Sequence, residues 1–325
     1  MSSLQILLPG EDILAAPARW HYLTETGAIN HSYKRMGLSI DAQGPHRLFN
    51  SCTLNILNFI GKGIGDKDVR EHSLINLETA YLTLTERKQW IDNRIKPKFT
   101  ALASVYPKRW RWCPDCVVED EAFFGMSYYH RDHQLPGVFH CIKHSLGLAE
   151  QCDECGWDVT HIKNQQVPPM NNRCPSCGVW LSSYDGLFTS HMADIEGAIL
   201  QLVNHEPAID LLRQDQFKLR SQIGMSPNSQ NTMAEQKALS HWRREFLAYY
   251  SPSEIKSWFS HFSQSNGVLV PSMMRSPRLT MCESNAPVIH PLVHLLAMHY
   301  INSYQTKGEA NESASLVSGL SLIHI

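Results

Sequence analysis

The 325-residue sequence has no long hydrophobic run and little excess of charge of either sign. No apolar stretch approaches the roughly 18 residues that a membrane-spanning helix needs. The first ten residues, MSSLQILLPG, place no basic segment before an apolar one. The sequence therefore predicts a soluble protein without a secretion signal. Because 29 basic and 31 acidic side chains nearly cancel, any contact with nucleic acid must come from a local patch.

Two motifs of common enzymes are also missing. The glycines of 61–65 (GKGIG) lack the spacing and the following Ser or Thr of a phosphate-binding loop, so we interpret them as a flexible turn. No Gly-x-Ser-x-Gly segment occurs, which leaves a serine hydrolase without support. The chain is nevertheless 43% hydrophobic and only 18% charged. That composition suffices for two or three small domains, each with its own core.

Hydrophobic spacing predicts short helices on the N-terminal side of the chain. Pro17 suits the start of a helix that ends at Gly27 in a left-handed cap. Apolar residues between 74 and 84 recur at near-helical spacing, and residues 85–95 continue as helix. Two interpretations of this region stay open. The helices either pack an ordinary core or form a helix-turn-helix arranged for DNA.

Helical signals return on the C-terminal side. One apolar face covers 195–203. Ser251 can cap a helix that has Pro252 in its first turn and Glu254 to complete a capping box. A last helix is predicted from Pro291.

We therefore predict a mainly α-helical, multi-domain fold around a small zinc-binding centre of ribbon or knuckle type. Its predicted parts are an N-terminal helical domain (1–105), a double zinc-binding region (106–182), a C-terminal helical domain (183–306) and a disordered tail (307–325).

Seven of the nine cysteines lie between 113 and 177 and mark the predicted centre. Cys113 and Cys116 are followed after 24 residues by Cys141 and His144. A two-residue gap lets both ligands of a tight turn face one ion, so these four residues predict a tetrahedral zinc site.

A second set has the spacing of a zinc ribbon: Cys152 and Cys155, then 18 residues, then Cys174 and Cys177. Gly156 and Gly178 follow the two pairs, where they permit the backbone to fold under the metal with amide groups directed at sulfur. The sequence predicts two structural Zn²⁺ ions, because a catalytic zinc keeps a position open for water. A redox role is open to any single pair, but the repeated pairs favour zinc.

Four further cysteine and histidine residues are not assigned to a metal site. Cys52 and Cys282 have no nearby partner in the sequence, and we interpret them as buried thiols. His130 and His133 have ligand-like spacing, but both sites are already full. We therefore assign the two histidines a structural or interface role.

Basic and aromatic residues precede the first cysteine. Lys96, Lys98, Lys108, Arg109 and Arg111 occur with no acidic residue from 96 to 112, and Tyr106, Trp110 and Trp112 are interleaved. The bases of a nucleic acid could stack on the rings while Lys108, Arg109 and Arg111 contact phosphates. The alternative is an aromatic layer over the zinc core with a solvated basic face. Acidic residues from 115 to 121 partly cancel the local charge.

Several segments together resemble a known family. The zinc segment 111–116, the segment 129–137 (YHRDHQLPG) and the segment 141–144 resemble the TniQ/TnsD family of transposon target selectors. The likeness extends on both sides, to 9–14 with Arg19, to 71–74 and to 290–296.

The resemblance implies a bacterial, nucleoid-associated cytoplasmic protein without enzymatic activity. Such a protein is an adaptor that joins target DNA or a CRISPR RNA-guided complex to the transposon's AAA+ ATPase regulator, and we expect the ATPase contact within residues 1–105. The oligomeric state stays open, a homodimer included. The family's long DNA-reading members continue well past the segment that resembles 290–296, so we expect a short member or an incomplete chain. Two other classes remain: a stand-alone zinc-ribbon transcription regulator that binds DNA, and a zinc hydrolase.

Overall fold

The computed structural model describes eleven parts of the chain. They are 6–24, 27–38, 45, 51–60, 66–91, 105–183, 185–205, 210–226, 232–259, 279–280 and 288–303. The predicted turn at 61–65, Lys96, Lys98, Cys282 and the predicted tail lie outside these residues.

Helices dominate the described parts, where β pairing is limited to isolated bridges. The mainly α-helical fold class is therefore confirmed. The helices are α1 (Ala16–Thr24), α2 (Ile29–Arg35), α3 (Ser51–Ile60), α4 (Asp66–His72), α5 (Ile75–Thr79), α6 (Leu84–Ile91), α7 (Pro114–Phe124), α8 (Ser190–Asn204), α9 (Leu211–Gln222), α10 (Met233–Tyr249), α11 (Pro252–Trp258) and α12 (291–303). None of the helices described is long and apolar enough to cross a membrane.

The C-terminal helices begin where local sequence signals predict. At α11 the Ser251 hydroxyl accepts from the Glu254 amide at 3.2 Å, and the Glu254 carboxylate accepts from the Ser251 amide at 2.7 Å. This is the predicted capping box, which satisfies amides that the first helical turn leaves unpaired. The apolar faces predicted for α8 and α12 are buried as well.

Two N-terminal helix predictions need correction. α1 ends at Thr24, and Gly27 does not have the left-handed φ predicted for it. The continuous helix expected from residue 74 is divided into α5 and α6. The Thr83 amide donates to the Glu86 carboxylate at 2.9 Å and the Glu86 amide donates to the Thr83 hydroxyl at 3.3 Å, so α6 has its own capping box.

The two largest hydrophobic cores each include residues of the cysteine-rich centre. The larger core joins residues of 74–77 to the first cysteine set and to α8–α12. The smaller core joins α1–α3 to Trp110, Trp112 and the second cysteine set. Each core therefore draws residues from more than one predicted domain. The boundaries at 105 and 182 stay a prediction, but the segments they separate pack against each other.

The segment 129–138 runs through the middle of this arrangement. Its backbone pairs with residues 10–12 near the start of the chain. The Asp12 amide donates to the Tyr129 carbonyl at 2.8 Å, and the Arg131 amide donates to the Gly10 carbonyl at 2.8 Å. The Arg131 guanidinium donates to the carbonyl of Arg70 at 2.7 Å and to the Asn204 side chain at 2.8 Å. One short segment thus connects the opening of the chain, α4 and α8.

Glycine is required at position 137 of this segment. Its φ of +81° lies in the left-handed region, and an added Cβ would stand 2.7 Å from Cδ1 of Ile199 and 3.3 Å from Cδ1 of Leu292. Real Cβ atoms essentially never lie within 3.0 Å of another atom, so the Ile199 side chain would have to shift. The backbone of the 129–138 segment therefore touches α8 and α12 directly.

We predict that Gly137→Ala destabilises the fold more than Gly125→Ala does. Both positions have positive φ, but nothing lies within 4 Å of a Cβ added at Gly125. The difference isolates the steric conflict, which overpacking data place at about 1–3 kcal/mol. Denaturant unfolding of both variants in their metal-loaded form measures it. Equal unfolding free energies for the two variants would contradict this account of Gly137.

Candidate metal centres

The first cysteine set converges on one point. The ligand atoms of Cys113, Cys116, Cys141 and His144 all lie within 4.8 Å of one another. His144 Nδ1 is 3.4 Å from the sulfurs of Cys113 and Cys116 and 3.6 Å from that of Cys141. Zn–S and Zn–N bond lengths in a tetrahedron imply sulfur–nitrogen separations of about 3.6 Å. The four atoms are therefore spaced to hold one ion.

Local structure brings these four side chains together. Cys113 caps α7, and Pro114 occupies its first turn, so Cys116 follows within that turn. On the other side, the Ser145 amide donates to the Cys141 carbonyl at 2.7 Å, and Ser145 adopts a φ of +54°. This tight turn presents Cys141 and His144 on the same side.

A carboxylate lies beside the histidine of the first set. The other imidazole nitrogen of His144, Nε2, lies 3.2 Å from a carboxylate oxygen of Glu119. The neighbouring Lys143 ammonium, and to a smaller extent His144, keep the pKa of Glu119 below its usual range. A carboxylate behind a ligating imidazole fixes the ring and raises its basicity. The sequence offered a signal for this residue, since Glu119 stands one helical turn after Cys116.

The two surplus histidines lie beside the set without joining it. His130 Nε2 is 2.8 Å from the Asp120 carboxylate. His133 Nε2 lies 3.9 Å from the Cys116 sulfur, and burial lowers the pKa of His133. The neutral, buried imidazole of His133 therefore packs against Cys116 and is not itself a member of the set.

The second cysteine set is closed in the same way. The ligand sulfurs of Cys152, Cys155, Cys174 and Cys177 lie within 4.8 Å of one another. The Cys152–Cys177 and Cys155–Cys174 sulfur pairs are each 3.6 Å apart. A disulfide requires about 2.05 Å, whereas two sulfurs on one zinc ion are about 3.8 Å apart. The separation fits a metal site and not a disulfide.

Two equivalent turns build this set. Gly156 and Gly178 have φ values of +71° and +75°, and each donates its amide to the carbonyl of the cysteine four residues before it, at 2.8 Å. The Trp157 amide donates to the Cys155 sulfur and lowers the pKa of that thiol to about 7. An amide directed at sulfur favours the thiolate, the form that binds metal. The predicted roles of both glycines agree with this geometry.

All eight predicted ligands are therefore brought together in two groups of four. Each group could hold a metal ion. Zinc fits both groups, because thiolates with at most one imidazole in a tetrahedral arrangement form its structural sites. The identity of the ion and the eight individual assignments stay predictions.

Arg111 requires a correction. Its residue surface is only 6% exposed, and its guanidinium donates to the carbonyls of Val138 at 2.6 Å and Leu135 at 2.7 Å. Burial lowers its pKa to about 10. A nucleic-acid phosphate has no access to this side chain, so the predicted contact at Arg111 is wrong.

Arg109 and Lys108, the other two predicted contacts, differ in how exposed they are and in whether their charge is already paired. Arg109 is part-buried and bonded to the carboxylates of Asp158 at 2.9 Å and Glu150 at 3.2 Å. Partial burial opposes its charge, but these two carboxylates together raise its pKa. Lys108 is exposed. The proposed contact surface is therefore centred on Lys108, and Arg109 contributes a charge already shared with two acids.

The interleaved aromatic residues belong to the interior. Trp110 and Trp112 are at most 1% exposed, and Trp110 packs against Tyr129 with ring centroids 5.0 Å apart. The Trp112 indole donates to the Asn172 side chain at 3.2 Å. These rings cannot stack on bases, so the alternative of an aromatic layer over the metal-binding core describes them.

The structure thus defines a helical protein whose centre has two closed cysteine-rich sites. Residues 46–148, about a third of the chain, match the TniQ family model. The match includes the first metal site and the 129–138 segment, and it ends before Cys152. A search of curated proteins finds no match to the chain. TniQ proteins are non-catalytic adaptors, and the domain is associated with target-site selection in transposition.

We predict two zinc ions per chain and one in Cys155→Ser. A structural zinc site contributes about 10–16 kcal/mol of apparent binding free energy, so losing one thiolate should empty the second site and unfold the turns around it. Elemental analysis of gel-filtered protein measures the ratio. Cys52→Ser is the matched control, because Cys52 belongs to neither group, and it should retain two ions. A folded wild-type protein with one zinc ion or none would refute the assignment.

Proposed function

We propose that this chain is a target-selection adaptor of transposition. It links target DNA or a CRISPR RNA-guided complex to the transposon's AAA+ ATPase regulator. The observation that carries the proposal is the TniQ match over 46–148, which includes the first metal site and the buried 129–138 segment. The likeness to the TnsD branch and the choice between direct DNA binding and an RNA-guided complex are finer parts of the same proposal.

The chemistry of the two metal sites supports a role without catalysis. Each site has four protein ligands, most of them thiolates. Such a site stiffens the chain and leaves no position for an activated water, in contrast to catalytic zinc. The zinc hydrolase alternative therefore gains no support from the geometry.

The two cores support an adaptor that holds partners on a rigid frame. Residues of α1–α3 pack with the centre in the smaller core, and α8–α12 pack with it in the larger core. The relative placement of the N-terminal and C-terminal helices is thus fixed by shared packing. A protein that joins two partners at a defined geometry needs such rigidity.

The N-terminal helices offer exposed apolar side chains for the ATPase. Leu23 on α1 is 40% exposed, and Leu84 at the start of α6 is 52% exposed. Deleting residues 1–105 would not isolate their contribution, because the deletion removes Ile13, Trp20 and Tyr33 from the smaller core. Surface substitutions test the contact without removing the core.

We predict that Leu23→Glu together with Leu84→Glu lowers retention of the AAA+ ATPase by the full chain at least about tenfold, because an apolar contact becomes charged. Retention is measured on immobilised, zinc-loaded protein with nucleotide and target DNA supplied. Leu187→Glu is the matched control, since Leu187 is 42% exposed and lies in the C-terminal part.

Two results of this experiment would count against the proposals. If the wild-type chain fails to retain the ATPase, the adaptor proposal gives way to the stand-alone DNA-binding regulator. If the double variant and Leu187→Glu retain the ATPase equally, the contact is not made by these N-terminal residues.

Lys108 provides a separate test of DNA contact. We predict that Lys108→Glu weakens DNA or guide-complex binding and reduces the slope of its salt dependence by about 1, as the loss of one phosphate contact implies. Lys163→Glu makes the same charge change at another exposed lysine and should leave the slope unchanged. Binding titrations across a salt series compare the two. Identical slopes for the two variants would remove Lys108 from the contact surface.

A further inference from the structure

The outward side of α7 combines acidic and apolar side chains. Asp115, Val118, Glu119, Ala122 and Phe123 are exposed and follow each other at the three- and four-residue spacing of one side of a helix. Val118 is 51% exposed and Phe123 is 83% exposed. These five residues form the α7 face. Apolar side chains beside charged ones on one side of a helix suit contact with another helix.

The α7 face is negative. α7 contains four acidic residues and no basic one. Of the four, Asp120 is buried, and Glu119 is paired with the Lys143 ammonium. Among the described residues, Asp115 and Glu121 lie within ion-pair distance of no lysine or arginine, and the Glu121 carboxylate accepts from a backbone amide at 3.0 Å. Two negative charges therefore remain on or beside this face.

The outward side of α9 has the opposite charge. Arg213, Phe217 and Lys218 are exposed and form the α9 face, and Phe217 is 58% exposed. The other charged residues of this helix, Asp215 and Arg220, are buried. Burial raises the pKa of Asp215 to about 6 although Lys218 opposes the shift. The α9 face therefore offers two positive charges with an apolar side chain between them.

The two faces match in spacing as well as in charge. With a rise of about 1.5 Å per residue, the acids at 115 and 119 are about 6 Å apart along α7, and the bases at 213 and 218 are about 7.5 Å apart along α9. Val118 and Phe217 each stand between the two charged residues of their own face. Both faces are exposed in the same chain, so α9 does not cover the α7 of its own chain. The matching surface therefore belongs to another copy.

We propose that α9 of a second copy of this chain packs against α7 through the α9 face and the α7 face. In a closed pair, α7 of each copy meets α9 of the other, so the contact is made twice. A stable interface uses about 20–30 residues on each side, whereas these two contacts together supply about eight. The pair is therefore weak and reversible, and its opposite charges make it sensitive to salt.

Sedimentation of the zinc-loaded full-length protein tests the proposal. Neither DNA nor the ATPase is present, so the result does not depend on the adaptor role. Between about 1 and 200 µM the average mass should rise towards that of two chains, and added salt should lower it. A wild-type protein that keeps the mass of one chain throughout this range would overturn the proposal, and the two faces would then serve other partners.

Charge-exchange variants identify the two faces. Val118→Lys with Phe123→Lys makes the α7 face positive, and Arg213→Glu with Phe217→Glu makes the α9 face negative. Each double variant alone should lose at least about tenfold in association constant, because like charges then oppose each other. An equal mixture of the two should associate again, since the new lysines of one meet the new glutamates of the other. Mixing could not repair a loss of fold.

A matched control separates the contact from a general effect of charge. Leu187→Lys with Met233→Lys places two lysines at exposed apolar positions outside both faces and should associate as the wild type does. Zinc content checks each variant, and the α9 variant changes no member of either cysteine set. A mixture that stays monomeric although both variants are folded, or a double variant that associates as the control does, would refute the contact between α7 and α9.

Discussion

The side-chain amide of Gln134 holds the centre of this protein together. Its oxygen accepts from the Arg111 amide at 3.0 Å, and its nitrogen donates to the Arg111 carbonyl at 2.8 Å, so it pairs with a backbone as a neighbouring strand would. Gln134 is fully buried, where an unpaired backbone group would be costly. The Arg111 guanidinium in turn donates hydrogen bonds to the carbonyls of Leu135 and Val138. This exchange places the segment before the first metal site against the 129–138 segment, on which the N-terminal opening and α8 also depend.

The two cysteine sets differ in how far the surrounding side chains enclose them. Cys113, Cys116 and Cys141 are counted among the buried residues of the larger core, and Cys152 and Cys174 among those of the smaller one. Cys155 and Cys177, by contrast, are exposed. A metal in the first site is therefore enclosed by packing that would persist in part without it. The second set lies closer to the surface, where the turns around the glycines would depend more on a bound ion.

Local signals predicted the site better than they predicted the surroundings. The ligand sets, Gly156, Gly178 and the Ser251 capping box are properties of a few consecutive residues, and the sequence alone was enough to find them. The division between α5 and α6 was missed although its signal, Thr83 three residues before Glu86, is also local. The error at Arg111 is of another kind. A run of basic residues does not show which member turns inward, because that is decided by carbonyls of the 129–138 segment more than 20 residues away.

Burial of Arg111 has a consequence for how the family-like segments function. A guanidinium that is bonded only to carbonyls satisfies their lone pairs but keeps a net positive charge inside the protein, an arrangement that costs free energy unless a counter-charge approaches. Glu150 and Glu196 favour the charge from a distance, and neither pairs with it directly in the described part of the chain. The fold therefore tolerates an uncompensated cation between the first metal site and α11. Much of what resembles the family is therefore used inside the protein to build this centre, since Arg111, Tyr129 and Gln134 are all buried.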